Sequence, residues 1–119
     1  MNYTATKYNK TLSLSLSLLA NRGICFRIMG RLEESLRDFE RAIQLEPKNG
    51  MFYCHRGLTY YDLGEKEKAI QDYTQALDII VIPKQRFKPY FNRGNAYREI
   101  GKLRESIKDL QAAMELETT

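Results

Sequence analysis

One histidine, His55, two cysteines, Cys25 and Cys54, and fifteen carboxylates are the residues of this 119-residue chain that could carry acid–base, nucleophilic or metal chemistry. A Ser-His-Asp or Cys-His nucleophile would have to be assembled around His55 alone. The two cysteines fall in no metal-ligand or redox spacing, and one histidine leaves no Cys-His cluster for zinc. There is no P-loop, no dinucleotide-binding glycine fingerprint and no Gly-x-Ser-x-Gly elbow. The acidic residues lie three or four positions from Lys or Arg, as on solvated helix surfaces. These patterns predict no catalytic residue, no metal site and no cofactor, and read His55 as an ordinary helix-face residue.

A different set of charges is placed with more regularity. Arg22 and Asp38, Arg56 and Asp72, and Arg93 and Asp109 are each 16 residues apart. Three repetitions point to ion pairs that tie helices together within or between repeats, with Arg suited to bidentate contact with a carboxylate. Such pairs need elements that recur, and the chain has them. The stretch Tyr53 to Leu77 is echoed upstream by Leu19, Arg22-Gly23, Phe26, Gly30, Leu36, Asp38-Phe39 and Ala42-Ile43. Downstream it is echoed by Tyr90, Arg93-Gly94, Tyr97, Gly101, Ile107, Asp109-Leu110 and Ala113-Met114. Gly23 to Gly57 and Gly30 to Gly64 are 34 residues, whereas Gly57 to Gly94 and Gly64 to Gly101 are 37. A fixed period of this length marks a solenoid of helix pairs.

The two glycine series have separate physical reasons. Gly23, Gly57 and Gly94 lie inside helical patterns, where glycine costs about 1 kcal/mol against alanine, so their recurrence predicts helix crossings too close for a side chain. Gly30, Gly64 and Gly101 follow the last periodic residue and are expected to cap the helix in a left-handed conformation. Small Ser35, Ala69, Ser106 and Ala42, Ala76, Ala113 recur on the second helix, with Phe39, Tyr73 and Leu110 as the filling between them.

The positions Tyr53, Gly57, Tyr60, Gly64, Ala69, Tyr73 and Ala76, with close counterparts in both other copies and Pro47 after the first, resemble the tetratricopeptide repeat. The resemblance covers about residues 16 to 117. It departs from the family pattern in having no tryptophan, in Pro83 lying two residues late and in three inserted residues after the second copy. It implies an all-α fold, a right-handed α-solenoid of three helix-turn-helix repeats with about six helices. No dedicated capping helix is expected after the last. One domain over residues 11–119 is expected, with repeats at about 16–49, 50–83 and 87–119, preceded by a flexible segment over residues 1–10.

Along the chain, the helices are expected at about 11–29, 32–45, 51–63, 66–81, 89–100 and 103–116. Residues Thr11 to Ala20 alternate like a strand and faintly imitate a secretory signal. They run without a small-residue cleavage site into the first repeat, and Leu12, Leu16, Leu19, Gly23 and Phe26 share one helical face, so a helix extension is the reading. The run Ile79-Ile80-Val81-Ile82 is β-branched yet in phase with Ala69, Tyr73 and Ala76, and is assigned to a helix. The extra residues then either lengthen that helix by most of a turn or widen a loop from Pro83 to Phe87, with Pro89 in the first turn of the next helix.

Composition agrees with a helical globular chain: 29% charged, 11% aromatic, and a net charge of +4 spread over every repeat. That excess is too mild and too dispersed to predict nucleic acid as a partner. No apolar run approaches the roughly 20 residues needed to span a bilayer, so no membrane contact is expected. Free thiols point to a reducing, cytoplasmic setting.

Function is then expected from shape. First helices of stacked hairpins line a concave surface, which in tetratricopeptide proteins usually holds a peptide or partner helix. By register the peptide-binding groove should comprise Ile24, Arg27, Ile28, Met51, Cys54, Leu58, Tyr61, Asp62, Lys88, Phe91, Asn95 and Arg98, flanked by Ala20 and Glu99. The positions at which family members grip acidic chaperone termini are here Ala20, Ile24, His55, Lys88 and Asn92, of which only Lys88 matches. The expected function is therefore a non-enzymatic adaptor or scaffold that binds a protein or peptide through apolar anchors. The alternative is an assembly protein that forms a homo-oligomer through its groove or its bare last helix, where Ile107, Leu110 and Met114 lack cover.

Overall fold

Three glycines with left-handed backbone, Gly30, Gly64 and Gly101 (φ 81°, 85° and 84°), close the first helix of each repeat in the computed structural model, which describes residues 3–117, with side chains from residue 9. Each closure is the same two-bond motif. The glycine N–H reaches back to Arg27, Tyr61 or Arg98, and the next N–H reaches Phe26, Tyr60 or Tyr97, which satisfies carbonyls that would otherwise be orphaned. The order of elements is α1 (Tyr3–Ile28), α2 (Leu32–Leu45), α3 (Gly50–Asp62), α4 (Lys66–Ile79), α5 (Pro83–Glu99) and α6 (Leu103–Glu117). No strand occurs among the described residues, and the fold is an all-α solenoid 52 × 34 × 19 Å in extent.

The crossing glycines behave as their recurrence predicts. A Cβ on Gly23 would lie 2.8 Å from the Phe39 ring, on Gly57 2.7 Å from Tyr73, and on Gly94 3.0 Å from Leu110. Helix α2 packs on α1, α4 on α3 and α6 on α5 at these points, and α2 meets α3 as α4 meets α5. The three Arg–Asp pairs span each hairpin from within: Arg22 to Asp38 at 2.8 and 2.7 Å, Arg56 to Asp72 at 2.8 and 2.8 Å, and Arg93 to Asp109 at 2.7 and 2.7 Å. All are bidentate. Arg56 also lies over the rings of Tyr53 and Tyr60, and Arg93 over Tyr90 and Tyr97, so the guanidinium is flanked by aromatic faces one helical turn either side.

Three expectations are corrected. Helix α1 starts at Tyr3 rather than near residue 11, and only Met1 and Asn2 of the segment expected to be flexible lie outside the described residues. With 26 residues it is about 39 Å long against about 21 Å for α2, so its N-terminal part runs past its partner. Leu12, Leu16 and Leu19 still pack against Ala42 and Phe52, whereas Leu14 and Leu18 stay exposed. Second, α4 stops at Ile79 instead of Val81. Ile80 turns extended (ψ 121°) and is buried, filling the gap over Gly50, where a Cβ would sit 2.5 Å from its side chain.

Third, the inserted residues neither lengthen α4 nor widen a loop. They add turns to the front of α5, which begins at Pro83, so Pro89 lies inside the helix. Pro83 suits that start because its missing N–H has no intrahelical partner there. Arg86 makes the extension worthwhile, for its guanidinium donates to the carbonyls of Leu77 (2.6 Å) and Ile80 (2.5 Å), closing the end of α4, and to the Tyr90 hydroxyl at 3.0 Å.

Candidate functional site

First helices of adjacent repeats touch, α1 with α3 and α3 with α5, while no contact joins α2 to α4 or α4 to α6. The stack is therefore tighter on the side of α1, α3 and α5 and open on the other, which makes the first-helix side the concave one.

The residues expected to line this surface divide into three kinds. Ile24, Met51, Leu58, Tyr61 and Asn95 are half-buried, and Ile28, Lys88, Phe91 and Arg98 are exposed. Phe91 stacks on Phe87 with ring centroids 5.9 Å apart. Cys54 departs from the expectation. Only 1% of it is exposed, packed with Ala69, Tyr73, Ala76 and Ile80, so it lies beneath the first-helix surface and not on it. Burial pushes its thiol up to about 11, against the opposing pull of a hydrogen bond with Asn92. Arg27 and Asp62 belong to a third kind, since they pair with each other across the first two repeats at 3.2 Å.

The one histidine of the chain, His55, is half-buried on α3. Its ring stacks on Phe39, 5.3 Å between centroids, and burial, reinforced by the positive charges of Lys88 and Arg27, pulls its pKa down to about 4. It is neutral near pH 7. Between α3 and α5 a cavity of about 80 Å³ is lined by Leu58, Tyr61, Tyr73, Asn92 and Asn95. Tyr73 is fully buried, and among the described residues neither its hydroxyl nor the Arg27 Nε has a hydrogen-bond partner. A larger hollow of about 810 Å³ opens beside Met51, lined by the extra turns of α5 with Pro83 and Phe87, and by Ile82 and Leu116.

Several contacts were not legible in sequence. Ser35 donates to the Gly23 carbonyl at 2.8 Å and meets the Thr59 hydroxyl at 3.0 Å, joining repeats one and two through a buried polar pair. The small-residue register marks Ser35 but not its partner. Tyr61 donates to Glu99, which also pairs with Lys66 at 3.4 Å, and this joins repeats two and three. Among the described residues no group of His, Cys, Asp or Glu could hold a metal ion, and no helix is long and apolar enough to cross a membrane.

Comparison with known proteins follows the same lines. The chain is 26% identical over 84 residues to human serine/threonine-protein phosphatase 5, which covers 71% of this chain and 16% of that protein. It is 33% identical over 58 residues to Hsp70-Hsp90 organizing protein 3 of Arabidopsis thaliana, 49% of this chain and 10% of that protein. The chain thus spans less than a quarter of the curated relatives it matches. Among solved structures, the first such domain of Spaghetti (RPAP3) bound to the HSP90 peptide SRMEEVD superposes with a TM-score of 0.82 at 24% identity, covering 90% of this chain and 82% of that one. MamA superposes with a TM-score of 0.78 at 25% identity over 87% of this chain and 58% of that one. The sequence pattern of the tetratricopeptide repeat itself matches residues 17–49, 51–80 and 87–119, and these three consecutive matches place the chain in the tetratricopeptide repeat family.

Proposed function

We propose that this chain is a non-catalytic protein-interaction module in which residues 11–119 act as one unit. A peptide or partner helix lies in the concave groove against Ile24, Met51, Leu58, Tyr61 and Phe91. The observation that carries the reading is what occupies the positions of a carboxylate clamp. Ala20 and Ile24 are apolar, His55 is neutral, Asn92 is uncharged, and Lys88 alone is a cation. Charged hydrogen bonds contribute about 1.5–3 kcal/mol each, so the missing ones leave a terminal carboxylate with little purchase. Apolar contact with a half-buried floor is the remaining source of affinity. Free Cys25 and Cys54 fit a reducing, cytoplasmic setting.

Solved relatives of the same fold hold HSP90 or HSP70 peptides, which makes the test direct. The intact chain is titrated calorimetrically with SRMEEVD and with an apolar peptide of equal length, and the expected result is weak or no binding of the first. Tight binding of SRMEEVD with none of the apolar peptide overturns the reading. A chain with Leu58→Glu and Tyr61→Glu, checked for folding by circular dichroism, should lose the apolar peptide.

A second reading is self-association through α6, favoured by the exposure of Ile107 (57%) and Met114 (63%). It predicts a concentration-dependent mass in sedimentation that Met114→Glu abolishes.

A further inference from the structure

Two successive junctions between repeats carry different chemistry at the same place. Between the first two repeats stand Phe39 on α2 with His55 and Leu58 on α3; the equivalent positions, 34 or 37 residues on, are Tyr73 on α4 with Asn92 and Asn95 on α5. Each of the three changes adds a neutral hydroxyl or carboxamide. In the first junction the His55 ring stacks on Phe39, 5.3 Å between centroids. In the second, Asn92 brings no ring to lie on Tyr73, and the cavity of about 80 Å³ between α3 and α5 opens beside them. That is several times the space of about 10–15 Å³ that one water needs.

The polar groups of this cavity are unused. The Tyr73 hydroxyl is fully buried and without a hydrogen-bond partner among the described residues, and the Asn95 side-chain amide makes no hydrogen bond there either. Asn92 is held in place by its hydrogen bond with Cys54. Burial, with Cys54 and Asp62 nearby, holds the Tyr73 hydroxyl well above the ordinary tyrosine range, so it is a neutral donor. None of the five lining residues is charged. A buried hydroxyl left unpaired is unfavourable, so a group that enters and pairs with it gains what the free protein lacks.

We propose that this recess is a subsite of the concave groove that takes the primary carboxamide of a glutamine or asparagine side chain of the bound peptide, paired to Tyr73, Asn92 and Asn95. This rests on the groove being the peptide site, since Leu58, Tyr61 and Asn95 belong to both. A carboxamide is the occupant because the lining hydroxyl and amides both donate and accept, and a carboxamide answers both with two N–H donors and a carbonyl oxygen. A carboxylate only accepts, and it would give up its hydration with no charge to meet it. An alkyl group leaves the Tyr73 hydroxyl unpaired.

The test titrates propionamide, and separately propionate, into the whole chain while the side-chain NH2 signals of Asn92 and Asn95 are followed by heteronuclear NMR. The expected result is a saturable shift of both signals with propionamide and none with propionate. Binding should be about tenfold weaker in a Tyr73→Phe chain and abolished by Asn95→Leu. Both variants install the residue types that the first junction carries at Phe39 and Leu58, so the fold accommodates them. A scan then sets Gln or Glu at each position in turn of an apolar peptide. At one position Gln should bind about tenfold tighter than Glu, a difference lost in the Tyr73→Phe chain. No saturable shift, the result if water alone enters the recess, overturns the proposal. So does an equal response to propionate, propionamide binding unchanged by Tyr73→Phe, or a scan with no preferred Gln position. If no apolar peptide binds at all, the groove reading fails, and the propionamide titration still decides whether the recess holds a carboxamide.

Discussion

Replacing Gly57 by alanine tests the packing logic of the whole stack. Helix propensity alone favours the change by about 1 kcal/mol. Against it, the new methyl would stand 2.7 Å from Tyr73 Cε1 and 3.0 Å from Cδ1, closer than carbon atoms approach without displacement. Tyr73 is fully buried among Cys54, Ala69, Ala76 and Ile80, and the cavity it lines is only about 80 Å³, so any retreat of its ring disturbs packed neighbours. Overpacking of this kind costs about 1–3 kcal/mol; an approach of 2.7 Å to a buried ring belongs in the upper half of that range, so after the propensity gain the net effect should be a loss of about 1–2 kcal/mol, or a Tm lower by about 3–8 °C. Gly94→Ala meets Leu110 at 3.0 Å. Leu110 is a smaller, half-buried side chain that can change rotamer, so the loss there should be smaller. Thermal unfolding followed by circular dichroism measures both. A Gly57→Ala chain as stable as the parent, or less affected than Gly94→Ala, would show that the glycines are not set by helix proximity.

Further outcomes follow from the ion pairs, the half-buried histidine and the helix junction. Asp72→Ala should cost about 2–4 kcal/mol in urea unfolding, because Arg56 is only 22% exposed and is left without its carboxylate. Asp38→Ala should cost clearly less, since Arg22 is 63% exposed and can turn to water; equal losses would refute the difference. For His55 the folded pKa of about 4 lies below the unfolded value, so the unfolded chain takes up the proton first. Its contribution is complete above about pH 6.5 and is lost as pH falls toward 4. The loss amounts to about 2–3 kcal/mol that a His55→Gln chain should not show in unfolding measured across that window. Arg86→Ala should lower stability by about 1–3 kcal/mol and speed amide exchange near Ile80, whose carbonyl loses its donor.

Much of this architecture can be read along the chain because its causes are local or confined to one hairpin. A glycine seven residues after another, or an aspartate sixteen after an arginine, falls at a fixed place on a helix pair whatever its neighbours do. The crossings at Gly23, Gly57 and Gly94, the caps at Gly30, Gly64 and Gly101, and the three bidentate pairs follow from that spacing. What lies between hairpins depends on the angle and depth at which one packs on the next, and that angle is a property of the packed whole. It decided that Cys54 is sealed beneath the groove, that Arg27 faces Asp62 and Tyr61 faces Glu99, and that the inserted residues extend α5 so that Arg86 closes α4. Ile80 shows the contrast most plainly: its position in the helical period assigned it to α4, yet the space over Gly50, visible only once α3 and α4 have met, drew it out of the helix.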